Sequence, residues 1–119
     1  MTDDERLSAA ESNDIVARTI AERGKVYGDP HQSHTNLGLA WTGLLQAHFE
    51  IELPHPIPAS VVELMMVDLK IIRSARFRKE DTYIDARAYL GFAENSQIGS
   101  AAKLSTLSHA ISFLRGINR

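Results

Sequence analysis

The chain has 119 residues, 44% of them hydrophobic and 24% charged, which is the composition of one globular domain and excludes a mostly disordered chain. Thirteen basic against fifteen acidic residues leave a formal charge of -2, so there is no broad basic field for extended nucleic acid. The absence of cysteine excludes disulfide scaffolds, thiolate metal sites and cysteine nucleophiles.

Residues 1–11 are polar and acidic and read as a flexible arm, with residues 12–119 as a single helical domain. No apolar signal core opens the chain and no run of about 18 apolar residues follows, so the expectation is a cytoplasmic protein without a membrane partner. Apolar spacing predicts an all-α bundle of about five helices, and no stretch alternates with period two for long enough to make a strand.

The first helix is expected from about Asn13 to Arg23, stopped by Gly24, with Ile15, Val16 and Ile20 inward. In the following turn Asp29 is suited to cap a second helix and Pro30 to fill its first turn. That helix runs to Phe49, with His34, Leu37, Trp41, Leu44, Leu45 and His48 on one face. Gly38 and Gly43 within it cost helix stability and imply a close neighbour. Trp41 reads more readily as core than as a stacking platform. His31 and His34 share a side but lack the further ligands a metal site needs.

Three prolines, Pro54, Pro56 and Pro58, make the next segment a loop. A third helix is predicted from Ala59 to Phe77. Val62, Met65, Met66, Leu69 and Ile72 face one way, and Leu64, Val67 and Ile71 roughly the other. A helix apolar nearly all round is buried nearly all round, so a homo-oligomer is expected. A fourth helix follows from Asp81 to Asn95. A fifth carries the stripe Leu104, Leu107, Ile111 and Leu114, after a break at Gly99 and Ser100.

Charges on core-like faces single out one site. Arg73 falls by angle within the Val62, Met66 and Leu69 face, with Lys70 at its margin. Asp81 and Asp85 lie one turn apart on the face of Ala88, Tyr89 and Phe92. A guanidinium in such a place needs a partner. The group is then either a buried clasp that fixes helix register or a polar cleft. A cleft would bind phosphate through Lys70 and Arg73, or a divalent cation through Asp81 and Asp85.

The string Arg23-Gly24-Lys25-Val26-Tyr27-Gly28-Asp29-Pro30 is followed by a helix with Asn36 and Trp41, then Lys70-x-x-Arg73 and Asp81-x-x-x-Asp85-x-x-x-Tyr89. Over about residues 21–94 this set resembles a small phage-borne helical family of uncharacterised domains. It is similar, more distantly, to domains associated with phage nucleotide modification and to MazG-like all-α nucleotide pyrophosphohydrolases. The resemblance implies a small phosphorylated ligand, a nucleotide, in the cytoplasm of the host if the chain is phage-encoded. Lys70 and Arg73 would take the phosphate, Tyr27, Trp41 or Tyr89 the base, and Asn36 or Asp29 its polar edge.

Such a protein could sequester a nucleotide or cyclic-nucleotide signal, with no cofactor. The alternative is hydrolysis of a nucleoside triphosphate with Mg²⁺ held on Asp81, Asp85 and Glu63 or Asp68. The E-E-x-x-E helix of those hydrolases is missing here, so binding is the leading expectation. A purely structural or interaction role is the third.

Overall fold

In the computed structural model the backbone is described for residues 6–117 and the side chains for residues 6–26 and 28–99. Four helices are present among the described residues: α1 (Ala9–Tyr27), α2 (Pro30–Phe49), α3 (Ala59–Arg76) and α4 (Glu80–Ile117). No strand occurs among them, so the all-helical bundle expected from the sequence is observed, with a different helix count.

The difference lies at two glycine positions. Gly99 and Ser100 do not end a helix, and the fourth and fifth expected helices are one continuous α4 of 38 residues. A single helical glycine costs only about 1 kcal/mol, which the surrounding turns can absorb. The stripe from Leu104 to Leu114 lies outside the described side chains. Gly24 likewise sits inside α1, which starts at Ala9 because the Ser8 hydroxyl accepts from the Glu11 N–H at 3.1 Å. The stop is Gly28, whose φ of 78° and ψ of -153° suit glycine alone. Residues 1–5 of the expected arm lie outside the described residues.

Helix α2 begins as the sequence predicts. The Asp29 carboxylate accepts from the His31 N–H at 3.1 Å, and Pro30 occupies the first turn, where its missing N–H has no helical partner in any case. The proline-rich loop then folds back on α2 through one buried side chain. Thr42 Oγ1 donates to the Gly38 carbonyl at 2.7 Å and accepts from the Ile57 N–H at 2.8 Å. That clamp brings the Ile57 carbonyl so near Gly38 that a Cβ there would lie 2.1 Å from the oxygen. Gly38 is therefore the close approach foreseen for this helix. Gly43 is not, since nothing lies within 4 Å of a Cβ built on it.

The buried centre is small. Among the described residues it consists of Ala59 and Val62 from α3, Ala88 and Ala93 from α4, and the polar Thr42, Glu63 and Thr82. Short side chains on both helices let α3 and α4 approach closely, and this pair forms the spine against which α1 and α2 pack. The inward face of α3 runs through Ala59, Val62, Glu63, Met66 and Lys70. Met65 and Ile72, expected inside, are exposed together with Leu64 and Ile71. The face is rotated toward Glu63 and Lys70 because both find polar partners inside.

Candidate functional site

Asp85, in the second turn of α4, is the junction of three helices. One carboxylate oxygen accepts from Arg23 of α1, and the other from Lys70 Nζ of α3 at 3.1 Å. Burial alone would push the Asp85 carboxyl up, but the two hydrogen bonds and the two positive charges outweigh it and hold it below its ordinary value. Arg23 is moved up, chiefly by its hydrogen bond to Asp85, with burial opposing.

The sequence placed Arg73 in this role. Arg73 is exposed, in the last turn of α3, where a cation also meets the negative end of the helix. Its place beside Asp85 is taken by Arg23, a residue that only the Arg23-to-Pro30 string had marked.

Two compartments meet at this junction. On one side is a cleft of about 180 Å³ between α1, the start of α2 and α4, walled by Ile20, His34, Ala88, Tyr89 and Phe92, with Arg23 and Asp85 at its edge. The His34 ring packs 5.6 Å from the Tyr89 ring at 46° and 5.7 Å from the Phe92 ring at 55°, so three mutually tilted rings form an aromatic corner of the cleft. Burial first, and the Asp85 charge second, raise the Tyr89 hydroxyl above its ordinary value, with Arg23 offsetting part of the rise.

On the other side is a groove of about 380 Å³ along the end of α3 and the start of α4, lined by Arg23, Lys70, Arg73, Arg76, Lys79, Asp81 and Asp85 among others. Arg23 and Lys70 are committed to Asp85. Arg73, Arg76 and Lys79 have no ion-pair partner among the described residues. Three cations thus face a groove whose two carboxylates include one already neutralised.

Behind the aromatic surface lies a polar cluster that the sequence did not assemble. Glu63 is 1% exposed and among the largest fully buried side chains. One of its oxygens accepts from the Ser96 hydroxyl at 2.7 Å, and the other contacts His34 Nδ1 at 2.7 Å. One buried carboxyl group thus bridges His34 of α2 and Ser96 of α4. Glu63 thereby fixes the plane of a ring that walls the small cleft. The signal was faint: His34 and Glu63 lie 29 positions apart, and the sequence had marked Glu63 only as a possible Mg²⁺ ligand.

The remaining expected residues are scattered. Asp29 caps α2 and lines a separate cleft with His31, Glu63 and Ser96. Asn36 is exposed and accepts from Gln32 at 3.3 Å, and Trp41 is half-buried; neither joins the small cleft or the groove. The side chain of Tyr27 lies outside the described residues. Lys70 meets Asp85, and Asp85 and Tyr89 both line the small cleft.

The Mg²⁺ reading needs clustered carboxylates with open oxygens, and the residues present do not fit it. Both oxygens of Asp85 and both of Glu63 are engaged, Asp68 is exposed on the far side of α3, and among the described residues no three His, Asp or Glu side chains are disposed around one point.

The model of one protein family, described as a domain of unknown function (DUF6378), matches residues 11–97, a span that includes every side chain of the junction and both compartments. No curated protein matches the chain, and no solved structure does. No described helix is long and apolar enough to cross a membrane.

Proposed function

The chain belongs to the DUF6378 family, described as a domain of unknown function. From that premise we propose that it binds a small phosphorylated ring compound, a nucleotide in the simplest case. The ring lies against His34, Tyr89 and Phe92, and the phosphate in the groove of Arg73, Arg76 and Lys79. The observation that carries this reading is that Arg23 and Asp85 border both compartments, so an apolar slot for a ring abuts a cationic slot for an anion. At about 180 Å³ the inner cleft is below the roughly 300 Å³ at which whole-ligand pockets begin, which suits it to one part of a ligand. Arginines favour phosphate oxygens through paired donors.

Binding without turnover needs nothing more, and it would sequester the ligand, the role implied by the resemblance to phage-borne domains. The test is a thermal-shift screen against mono-, di-, tri- and cyclic nucleotides, with and without Mg²⁺. A ligand at about 100 times its Kd adds about 2.7 kcal/mol, or about 10 °C in a domain of this size. The gain should vanish in Arg73→Ala/Arg76→Ala. A shift equal in that variant, or no shift with any nucleotide, refutes the reading, and release of pyrophosphate with Mg²⁺ would assign hydrolysis in its place.

A further inference from the structure

Helix α3 has a second apolar face that no described residue covers. Val61, Leu64, Met65, Ile71 and Ile72 are between 38% and 69% exposed, and together with Asp68 they recur at the three- and four-residue spacing that keeps them on one side through about three turns. The opposite side of the same helix, through Val62 and Glu63, is the one packed on α2 and α4. Between Val61 and Ile72 the other charges, Glu63 and Lys70, turn inward, so Asp68 is the one charged residue on the outer stripe.

The total area shows the same deficit. A compact monomer of 13.2 kDa exposes about 6,400 Å², and this chain exposes 9320 Å², an excess of about 2,900 Å². Part of the excess belongs to the elongated outline of 69 × 38 × 26 Å. A stable protein interface takes about 600–1,000 Å² from each partner, and an obligate homodimer more, so the excess is ample for one.

We propose that the outer face of α3 is a self-association surface, and that its occupant is a second copy of this chain. A stripe of this spacing meets an identical stripe by the packing used in helical dimers. Asp68 lies within the interface and loses water there, which weakens the dimer and keeps the surface soluble before it forms. The inference is independent of ligand binding, since the stripe residues border neither the small cleft nor the cationic groove.

Sedimentation equilibrium on the full chain tests it with two substitutions of opposite sign. The unmodified protein is expected at about 26 kDa, twice 13.2 kDa, at micromolar concentrations. Ile72→Glu should give the monomer mass with an unchanged helical circular dichroism spectrum. Asp68→Leu, at an exposed position where folding is not at stake, should lower the dimer Kd by about tenfold. Leu90→Glu, at an exposed apolar position on α4, should leave the mass of the dimer unchanged. A monomer mass for the unmodified chain up to about 100 µM, a dimer that survives Ile72→Glu, a Kd unmoved by Asp68→Leu, or equal loss in Leu90→Glu would each overturn the proposal.

Discussion

Replacing Glu63 should be the most damaging single change to the fold, and the choice of replacement separates the causes. In Glu63→Ala the His34 Nδ1 and the Ser96 hydroxyl both lose a partner that now sits 2.7 Å away. An unsatisfied buried donor costs about 1–3 kcal/mol. His34 is nearly enclosed and takes the upper part of that range, whereas Ser96 borders a cleft of about 410 Å³ and can turn to water, so it adds about 1 kcal/mol. The void left by the shortened side chain adds about 1 kcal/mol more. The sum, about 3–5 kcal/mol, agrees with the usual cost of removing one partner from a buried polar pair. In Glu63→Gln the amide oxygen still accepts from His34, and the amide N–H₂ can donate to Ser96 after its hydroxyl turns. Both contacts are then kept in weaker form, at a cost of about 1 kcal/mol. Urea unfolding followed by circular dichroism measures both, with about 4 °C of Tm per kcal/mol as a check. If Glu63→Ala stays within 1 kcal/mol of the unmodified protein, or Glu63→Gln is as harmful as Glu63→Ala, the cluster does not hold the helices as described.

Three further outcomes are expected. Asp85 has a folded pKa held below its ordinary value of about 3.9, so between the two the unfolded chain binds the extra proton. Its contribution is therefore complete above about pH 4 and is lost as pH falls through the folded value. The difference in urea midpoint between the unmodified protein and Asp85→Asn should be constant near neutrality and shrink below about pH 4; a difference independent of pH would count against the ion pairs. Gly38→Ala puts a methyl group 2.1 Å from the Ile57 carbonyl and should cost about 3 kcal/mol by overpacking, whereas Gly43→Ala, in open space, should be neutral or stabilising by a few tenths, both read from urea midpoints. Gly28→Ala forces a side chain into backbone angles that glycine alone tolerates and should cost about 1–3 kcal/mol, seen as a lower Tm without loss of helix content.

Much of the fold was legible in short-range chemistry. Asp29 with Pro30 announced the start of α2, and three prolines announced the loop before α3, because each acts on its own backbone. Glycine misled where its cost is too small to decide: Gly24 and Gly99 lie inside helices, and Gly28, with the rarer conformation, is the stop. The candidate site was half legible. Angular position along α4 correctly set Asp85 and Tyr89 on one inner face, since that face follows from the helix repeat alone. The partner of Asp85 was misassigned because Arg73 falls by angle within an apolar stripe that the structure rotates outward; finding Arg23 in its place needs the placement of α1, a long-range fact no local pattern encodes. The same holds for Glu63, whose two partners come from α2 and α4.

The attachment of α1 has a kinetic consequence. This helix packs chiefly on α4, pinned at one end by Arg87 with Ser12 and at the other by Arg23 with Asp85, and its residues Thr19, Ile20, Arg23 and Gly24 form one wall of the small cleft. A wall held by two polar fastenings opens more often than the α3–α4 spine unfolds, so its amides should exchange with deuterium ahead of those of α3. The cleft is therefore bounded on one side by its least anchored helix, and salt, by loosening the Arg23 fastening, should make that wall more mobile and its amide exchange faster.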